Sequence, residues 1–379
     1  MPTQRRKEIA TRLAFFVTGL IPAAWAPLIP FVKAGLGIDN GALGLLLLCL
    51  GTGSMIAMPV TGVLLPRIGP KRMILIGGAI FVLALPLLVL LDNVFAVAAV
   101  LAVVGGSLGS VDVAMNVQAV AVERDAGRPL MSGFHGQYSF GGIAGAGAAS
   151  LLLTGAHPDP MLAACVVSVA GLLVLAASAG GLMAKVDDAD AGDAPLFVVP
   201  HGLVIFLGLL CFLCFMSEGA VLDWSAVLLK SERAATPALA GLGFTVFAVA
   251  MTISRLSGDR IRAVLSERTI LFGGGAIAAA GFALAIFANA ALPTLLGFVL
   301  VGVGASNIVP VLITITGRTR AMPSGLAVAS VTTLGYAGVL AGPAAIGFVA
   351  RGTGLEAAFA IPLLAMLIIA ASFTVGTRA

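Results

Sequence analysis

The chain alternates from end to end between long apolar runs and short polar breaks. Twelve runs stand out, over residues 10–32, 41–65, 73–91, 94–121, 131–154, 160–184, 201–229, 237–257, 269–289, 292–316, 324–350 and 355–377. A helix needs about 20 apolar residues to cross the roughly 30 Å hydrocarbon layer of a bilayer. The pattern therefore predicts an all-α membrane protein with twelve transmembrane helices. The first run follows Arg5-Arg6-Lys7 and contains Ala24-Trp25-Ala26, as a cleaved secretory leader would. Its apolar stretch continues to Val32 and eleven spans follow, so the first helix is expected to be retained.

Composition sharpens the class. Of 379 residues, 60% are apolar and 10% charged, against about 45–50% and about 25% in soluble domains. So few charges could not cover a soluble surface, which excludes a cytoplasmic enzyme, a nucleic-acid binder and a disordered chain. The 48 glycines suit closely packed membrane helices. The net charge of +4 does not indicate nucleic acid, because the basic residues sit in short turns between apolar runs.

Those turns set the orientation. With the N-terminus in the cytoplasm, the outer segments hold only Lys33, Lys230, Arg233 and Arg351, so 21 − 4 = 17 basic residues, Arg255 among them, fall to the inner segments. That bias predicts cytoplasmic termini; the expected location is a bacterial inner (plasma) membrane. The longest polar break, 185–200, carries Asp187, Asp188, Asp190 and Asp193 and reads as a solvated cytoplasmic linker. It separates a six-helix bundle over 1–184 from another over 201–379. Cys49, Cys165, Cys211 and Cys214 all lie in apolar runs; Cys211-Phe-Leu-Cys214 has no second pair, so it reads as packed thiols and not a metal site. No G-x-x-x-x-G-K-[ST] or H-E-x-x-H occurs, and neither an enzyme nor a cofactor is expected.

The two bundles repeat. The turn after span two reads Gly62-Val-Leu-Leu-Pro66-Arg67-Ile-Gly69-Pro-Lys71-Arg72, and that after span eight Gly258-Asp259-Arg260-Ile-Arg262. Laying Arg67 on Arg260 gives an offset of 260 − 67 = 193. Ser132-Gly133, opening span five, meets Ser324-Gly325, opening span eleven, at 324 − 132 = 192. Two separate anchors agree on nearly half the chain.

Twelve spans, a middle linker, repeated halves and basic turns after spans two and eight resemble the major facilitator superfamily over essentially the whole chain. The signature of that family is G-x-L-a-D-R-x-G-R-K. Gly62, Leu64, Arg67, Gly69 and Lys71 match it, Pro66 stands where the family has Asp, and the second copy keeps Asp259-Arg260. The resemblance implies two pseudo-symmetric six-helix halves and a cytoplasmic gate at Arg67, Asp259 and Arg260. Gly106-Ser-Leu-Gly109 followed by Asn116 resembles the fucose-permease-like branch. Phe134-His135-Gly136 and Glu218-Gly219 with Asp223-Trp224-Ser225 resemble the YbjJ/MosC-like members. The drug-antiporter branches fit less well: Ala102 stands where they carry Arg, and the G-x-x-x-G-P run is in span eleven, ending at Pro343.

Polar groups inside a bilayer are costly, about 2.5–3.5 kcal/mol for a central charge, and so are functional candidates. They are Asp112 and Asn116 in span four, His135 and Gln137 in span five, Glu218 and Asp223 in span seven, and Asn307 in span ten. In this superfamily spans one, four, seven and ten line the central cavity and spans two, five, eight and eleven flank it. Glu218 and Asp112 read as proton-carrying carboxylates, since a carboxylate held in poor solvent can load and release a proton. Asp112 has a structural hydrogen bond as its alternative, and Asp223 a helix-end contact, with Lys230 as one partner. His135 reads either as a proton relay or as an interfacial hydrogen-bonding group. Asn116, Gln137, Tyr138 and Asn307 are candidate substrate contacts, with Asn116 reading equally well as a structural amide. Trp25, Trp224 and Tyr336 are candidate ring platforms, the two tryptophans equally well interfacial anchors.

No Lys or Arg is expected within the apolar part of any span, which favours a neutral or cationic substrate over an anion. The reading is a secondary transporter moving a small, polar, sugar-like solute by proton symport through alternating access. A proton-coupled exporter of a cationic or amphiphilic compound is the alternative; a membrane sensor would need a signalling domain that the short tails do not supply. The expected partners are the small-molecule substrate, protons and the lipid bilayer, with no nucleic acid, and the chain is expected to act as a monomer.

Overall fold

The computed structural model describes residues 3–154, 158–186, 200–320 and 322–372. Asp187, Asp188, Asp190 and Asp193 of the expected linker lie outside the described residues. The described residues contain helices and no strand. Span one is α1 (Gln4–Trp25), a 3₁₀ turn (Ala26–Leu28) and α2 (Ile29–Leu36); spans two to six are α3 (Asn40–Ile68), α4 (Pro70–Leu90), α5 (Val94–Ala126), α6 (Met131–Leu152) and α7 (Pro160–Ser178). Spans seven to nine are α8 (Leu203–Glu232), α9 (Pro237–Val264) and α10 (Glu267–Phe287). Span ten is broken into α11 (Ala291–Ala305) and α12 (Ile308–Arg318), span eleven is α13 (Ser324–Thr353), and span twelve is α14 (Leu355–Ala358) with α15 (Ala360–Ser372).

Eleven of the twelve spans are long and apolar enough to cross a membrane by length and composition. The other, α6, has 22 residues, about 33 Å of helix, but His135, Gln137, Tyr138 and Ser139 near its start lower its hydropathy. Short polar breaks restart the helices by capping orphan amides. Asp39 accepts from the Ala42 amide at 2.8 Å, Asp159 from Leu162 at 2.9 Å, and Ser266 from Thr269 at 3.1 Å.

Internal contacts divide the chain into two compact units. Unit 1 is Met1–Gly127, Gln137–Val199 and Met322–Ser330; unit 2 is Arg128–Gly136, Pro200–Ala321 and Val331–Ala379. The first turn of α6 thus belongs to unit 2, and the first turns of α13 to unit 1.

Lipid tails are as apolar as leucine, so helix association inside a bilayer rests on close packing. Glycine provides it here. In unit 1 a Cβ on Gly109 would lie 2.9 Å from the Ser54 carbonyl, and one on Gly145 only 1.9 Å from that of Leu20. In unit 2 a Cβ on Gly302 would lie 2.4 Å from the Phe247 carbonyl, and one on Gly338 2.2 Å from that of Phe212. The first contact recurs at 302 − 109 = 247 − 54 = 193, and the second at 338 − 145 = 193 and 212 − 20 = 192. The sequence repeat is therefore a repeat of helix crossings. Phe282, Phe298 and Phe359 fill the core of unit 2, while Phe95, Leu151, Phe287 and Phe348 point outward, as on helices whose outer surface meets lipid.

Unit 1 also contains a polar peg that the sequence pattern does not single out. Gln118 of α5 is fully buried. It donates to Thr11 of α1 at 2.9 Å and accepts from the Met183 amide at 3.0 Å. Lys7 and Asp125 close the same pair of helices at 2.8 Å.

Candidate functional site

The polar centre of unit 2 begins with a proline. Pro310 has no amide hydrogen, so the Ser306 carbonyl loses its helical partner four residues on. Span ten breaks there: α11 stops at Ala305, and Asn307 takes φ −104° and ψ 0° before α12. A buried carbonyl left without a donor costs about 1–3 kcal/mol. Arg255 of α9 supplies the donor, its Nε 3.1 Å from the Ser306 oxygen.

The same guanidinium reaches a second helix. Arg255 Nη2 is 3.4 Å from Glu218 Oε1, with the two side chains 7% and 18% exposed. Glu218 stands at the middle of α8 and also accepts from Cys214 Sγ at 3.6 Å. Arg255 therefore corrects the expectation that no cation enters the apolar part of a span. Arg255 lies only 264 − 255 = 9 residues from the end of α9 at Val264, but its side chain is buried. Removing one member of a buried pair costs about 3–5 kcal/mol, so each charge holds the other in place.

Asp259 lies four residues beyond Arg255 and Arg262 three beyond that, a spacing that puts all three on one stripe of α9. Leu130, which precedes α6, has no side-chain oxygen to cap it. Asp259 Oδ1 supplies the cap from α9, accepting the Gly133 amide at 2.9 Å. Arg262 donates to Thr314 of α12 at 2.7 Å. Gly258 makes the junction possible: a Cβ there would sit 2.0 Å from Asn307 Oδ1 and 2.6 Å from Ser132 Cβ. Asn307 donates to the Ser306 hydroxyl at 3.0 Å. His135 lies within the electrostatic reach of both Arg255 and Arg262.

Glu218, Asn307, Asp259 and His135 thus share one neighbourhood in unit 2. Other predicted residues do not join it. Asp223 is exposed and, five residues from Glu218, points about 140° away around the helix; it makes no ion pair among the described residues, with Lys230 or otherwise. Trp224 packs on Gly347 and borders a crevice of about 590 Å³ shared with Phe348 and Arg351. Tyr336 meets Phe215 edge to face at 6.3 Å. In unit 1, Asn116 Nδ2 donates to the backbone carbonyl of Asp112 at 2.9 Å, not to its carboxylate. Trp25 Nε1, Trp224 Nε1 and Asn116 Oδ1 are buried atoms without a hydrogen-bond partner among the described residues. Gln137 and Tyr138 are half-buried in α6. Arg67 and Arg260 are exposed. In the first copy Pro66 stands at the position of Asp259, and the neighbouring Gly62 packs against Ala329 of α13 instead, where a Cβ would be 2.6 Å away.

The Major Facilitator Superfamily profile matches residues 12–221. An uncharacterized MFS-type transporter of Yersinia pestis is 50% identical over 373 residues, covering 98% of this chain and 96% of that protein. The chain belongs to the Major Facilitator Superfamily. The membrane protein MosC of Rhizobium meliloti is 29% identical over 97% of this chain and 90% of its own. Among solved structures, the superfamily transporter FucP in its outward conformation superposes with a TM-score of 0.83 at 18% identity, covering 98% of this chain and 99% of that one. As a superfamily member the chain is a multi-pass membrane transporter and not an enzyme, and it acts on a small-molecule substrate by secondary active transport.

Arg255, Arg262, Ser132 and Ser306 were not among the sequence candidates. The 255, 259, 262 spacing was the available signal, hidden because all basic residues near the span-eight turn read as topology markers.

Proposed function

We propose that this superfamily member is a proton-coupled symporter of a small, neutral, polar solute of sugar-like chemistry, working by alternating access of two six-helix halves (1–184 and 201–379) in a bacterial inner membrane with both termini cytoplasmic. The mid-span pair of Glu218 and Arg255 carries this reading. A pair with no net charge offers little to a charged substrate. Its 3.4 Å separation is loose for a charge-assisted bond, so a proton or a solute hydroxyl can compete with Arg255 for the Glu218 carboxylate. Arg255 is committed to Glu218 and to the Ser306 carbonyl, so this intramembrane cation does not call for an anionic substrate.

Asp112 is the second proton-carrying candidate, on span four. Candidate substrate contacts are the buried amide oxygen of Asn116 and the indole N–H of Trp25 in unit 1 and, separately, the indole N–H of Trp224 in unit 2, each a group that pairs with hydroxyls. Gln137, Tyr138, Asn307 and Tyr336 complete the proposed set. FucP, whose solved forms include the Escherichia coli fucose:proton symporter, adds fold-level support for both the proton and the sugar.

The test begins with thermal-shift screening of purified protein against monosaccharides, polyols, amines and amino acids, since a ligand stabilises the state it binds. Hits are then followed in proteoliposomes under an imposed pH gradient. Inward, proton-driven accumulation that is lost in Glu218→Gln while counterflow survives is the expected result. Proton-driven accumulation in Glu218→Gln at the wild-type rate would overturn the assignment, and outward flux against protons would favour exchange.

A further inference from the structure

Arg255 joins two features that the proposed transport cycle leaves separate. Through Nη2 it meets Glu218 on α8, and through Nε it fills the carbonyl that Pro310 orphans in span ten. One turn along the same stripe of α9, Asp259 holds the Gly133 amide at the start of α6. Between them Gly258 packs so closely on Asn307 and Ser132 that a Cβ would overlap both. These successive contacts all lie on one continuous helix, Pro237–Val264, so a shift of α9 at one of them bears on the others.

We propose that Arg255 is a positioning residue that transmits the state of Glu218 along α9 to the Asp259 cap on α6. This rests on the reading of Glu218 as the proton-carrying group. With Glu218 ionised, Arg255 has a counter-charge on one side and a carbonyl on the other, and the α9 stripe is held at both ends. When Glu218 is neutralised, the guanidinium loses that counter-charge, while the Ser306 carbonyl it also meets is neutral. The stripe is then released on the α8 side, and the hydrogen bond from Gly133 to Asp259 weakens. The other titratable or charged groups around the bridge are Cys211, Cys214, His135, Asp259 and Arg262. The arrangement belongs to one copy of the repeat only. In the first copy, Gly62 stands where Arg255 does (255 − 193 = 62) and Pro66 where Asp259 does (259 − 193 = 66).

The test is amide hydrogen exchange of the full-length protein in lipid nanodiscs, read on the peptide covering 128–136. Glu218→Gln is expected to speed exchange of that peptide about tenfold, equivalent to one hydrogen bond weakened by about 1.4 kcal/mol. Arg255→Met should do the same, the double variant no more than either, and Arg255→Lys should lie close to wild type. Additive effects, or wild-type exchange in Arg255→Met, would overturn the relay. If Arg255→Met does not fold, Glu218→Gln carries the test alone, and unchanged exchange in it overturns the proposal. Proton-driven uptake measured on the same Glu218→Gln sample separates the two readings. Lost uptake with unchanged exchange sinks the relay and keeps the proton carrier; retained uptake with faster exchange does the reverse.

Discussion

Arg233, at the end of α8, offers the sharpest test of how unit 2 is held together. Its side chain is 2% exposed, although its position in the chain reads as an outer loop. All five guanidinium N–H groups are used. Nε donates to Thr294 Oγ1 at 3.3 Å, Nη1 to the Glu232 carbonyl at 3.0 Å and to the Glu356 carboxylate, and Nη2 to the carbonyls of Ala285 and Ile286 at 3.0 and 2.9 Å. The last two belong to the final turn of α10, whose carbonyls have no partner within their own helix. Arg233→Met preserves much of the apolar stem but strands those carbonyls at about 1–3 kcal/mol each. Glu356 is 47% exposed and recovers water, so it adds little. The expected loss is about 3–5 kcal/mol, or a fall in melting temperature of about 10 °C for a unit of this size. Cys211 and Cys214 are buried in α8 of the same unit, so unfolding in detergent can be followed with a thiol-reactive fluorophore. Arg233→Lys has three donors in place of five and should fall between. A melting temperature for Arg233→Met within about 2 °C of wild type would refute the reasoning, because about 3 kcal/mol cannot hide in so small a shift. Equal values for Met and Lys would refute the role of the fork.

Other outcomes follow from the same geometry. Gly105→Leu should lower thermal stability by more than about 3 kcal/mol, since even a Cβ there would lie 1.9 Å from the Leu50 carbonyl; Gly147→Ala, with nothing within 4 Å, should be neutral or stabilising by up to about 1 kcal/mol on the same melting assay. Gln118→Leu should cost about 1–3 kcal/mol by stranding the Met183 amide, and adding Thr11→Val should recover none of that part. Asp112→Asn should retain counterflow but lose proton-driven accumulation in proteoliposomes; survival of both would make Asp112 structural. Asp259→Ala should speed exchange of the 128–136 peptide more than Asp259→Asn, which keeps an acceptor oxygen for the Gly133 amide; equal rates would argue against the cap.

The spans, their number and the repeat were legible because each is written locally. Twenty apolar residues signal a crossing wherever they occur, and duplicated turns keep their spacing whatever surrounds them. The functional shortlist came partly from the same logic, since a carboxylate such as Glu218 inside an apolar run is anomalous on its own strand of text. Its partner was not. Arg255 lies 255 − 218 = 37 residues away, next to a turn rich in basic residues, and in one dimension it is indistinguishable from its neighbours that only set orientation. Arg233 was lost in the same way, and so was Gln118, an uncharged side chain in a Gly- and Ala-rich run. Hydropathy reports the medium around a helix, a property of its own residues. The pairing of a charge depends on where two helices cross and which faces they turn to each other, and for Arg255, Arg233 and Asp259 only the tertiary structure decides that.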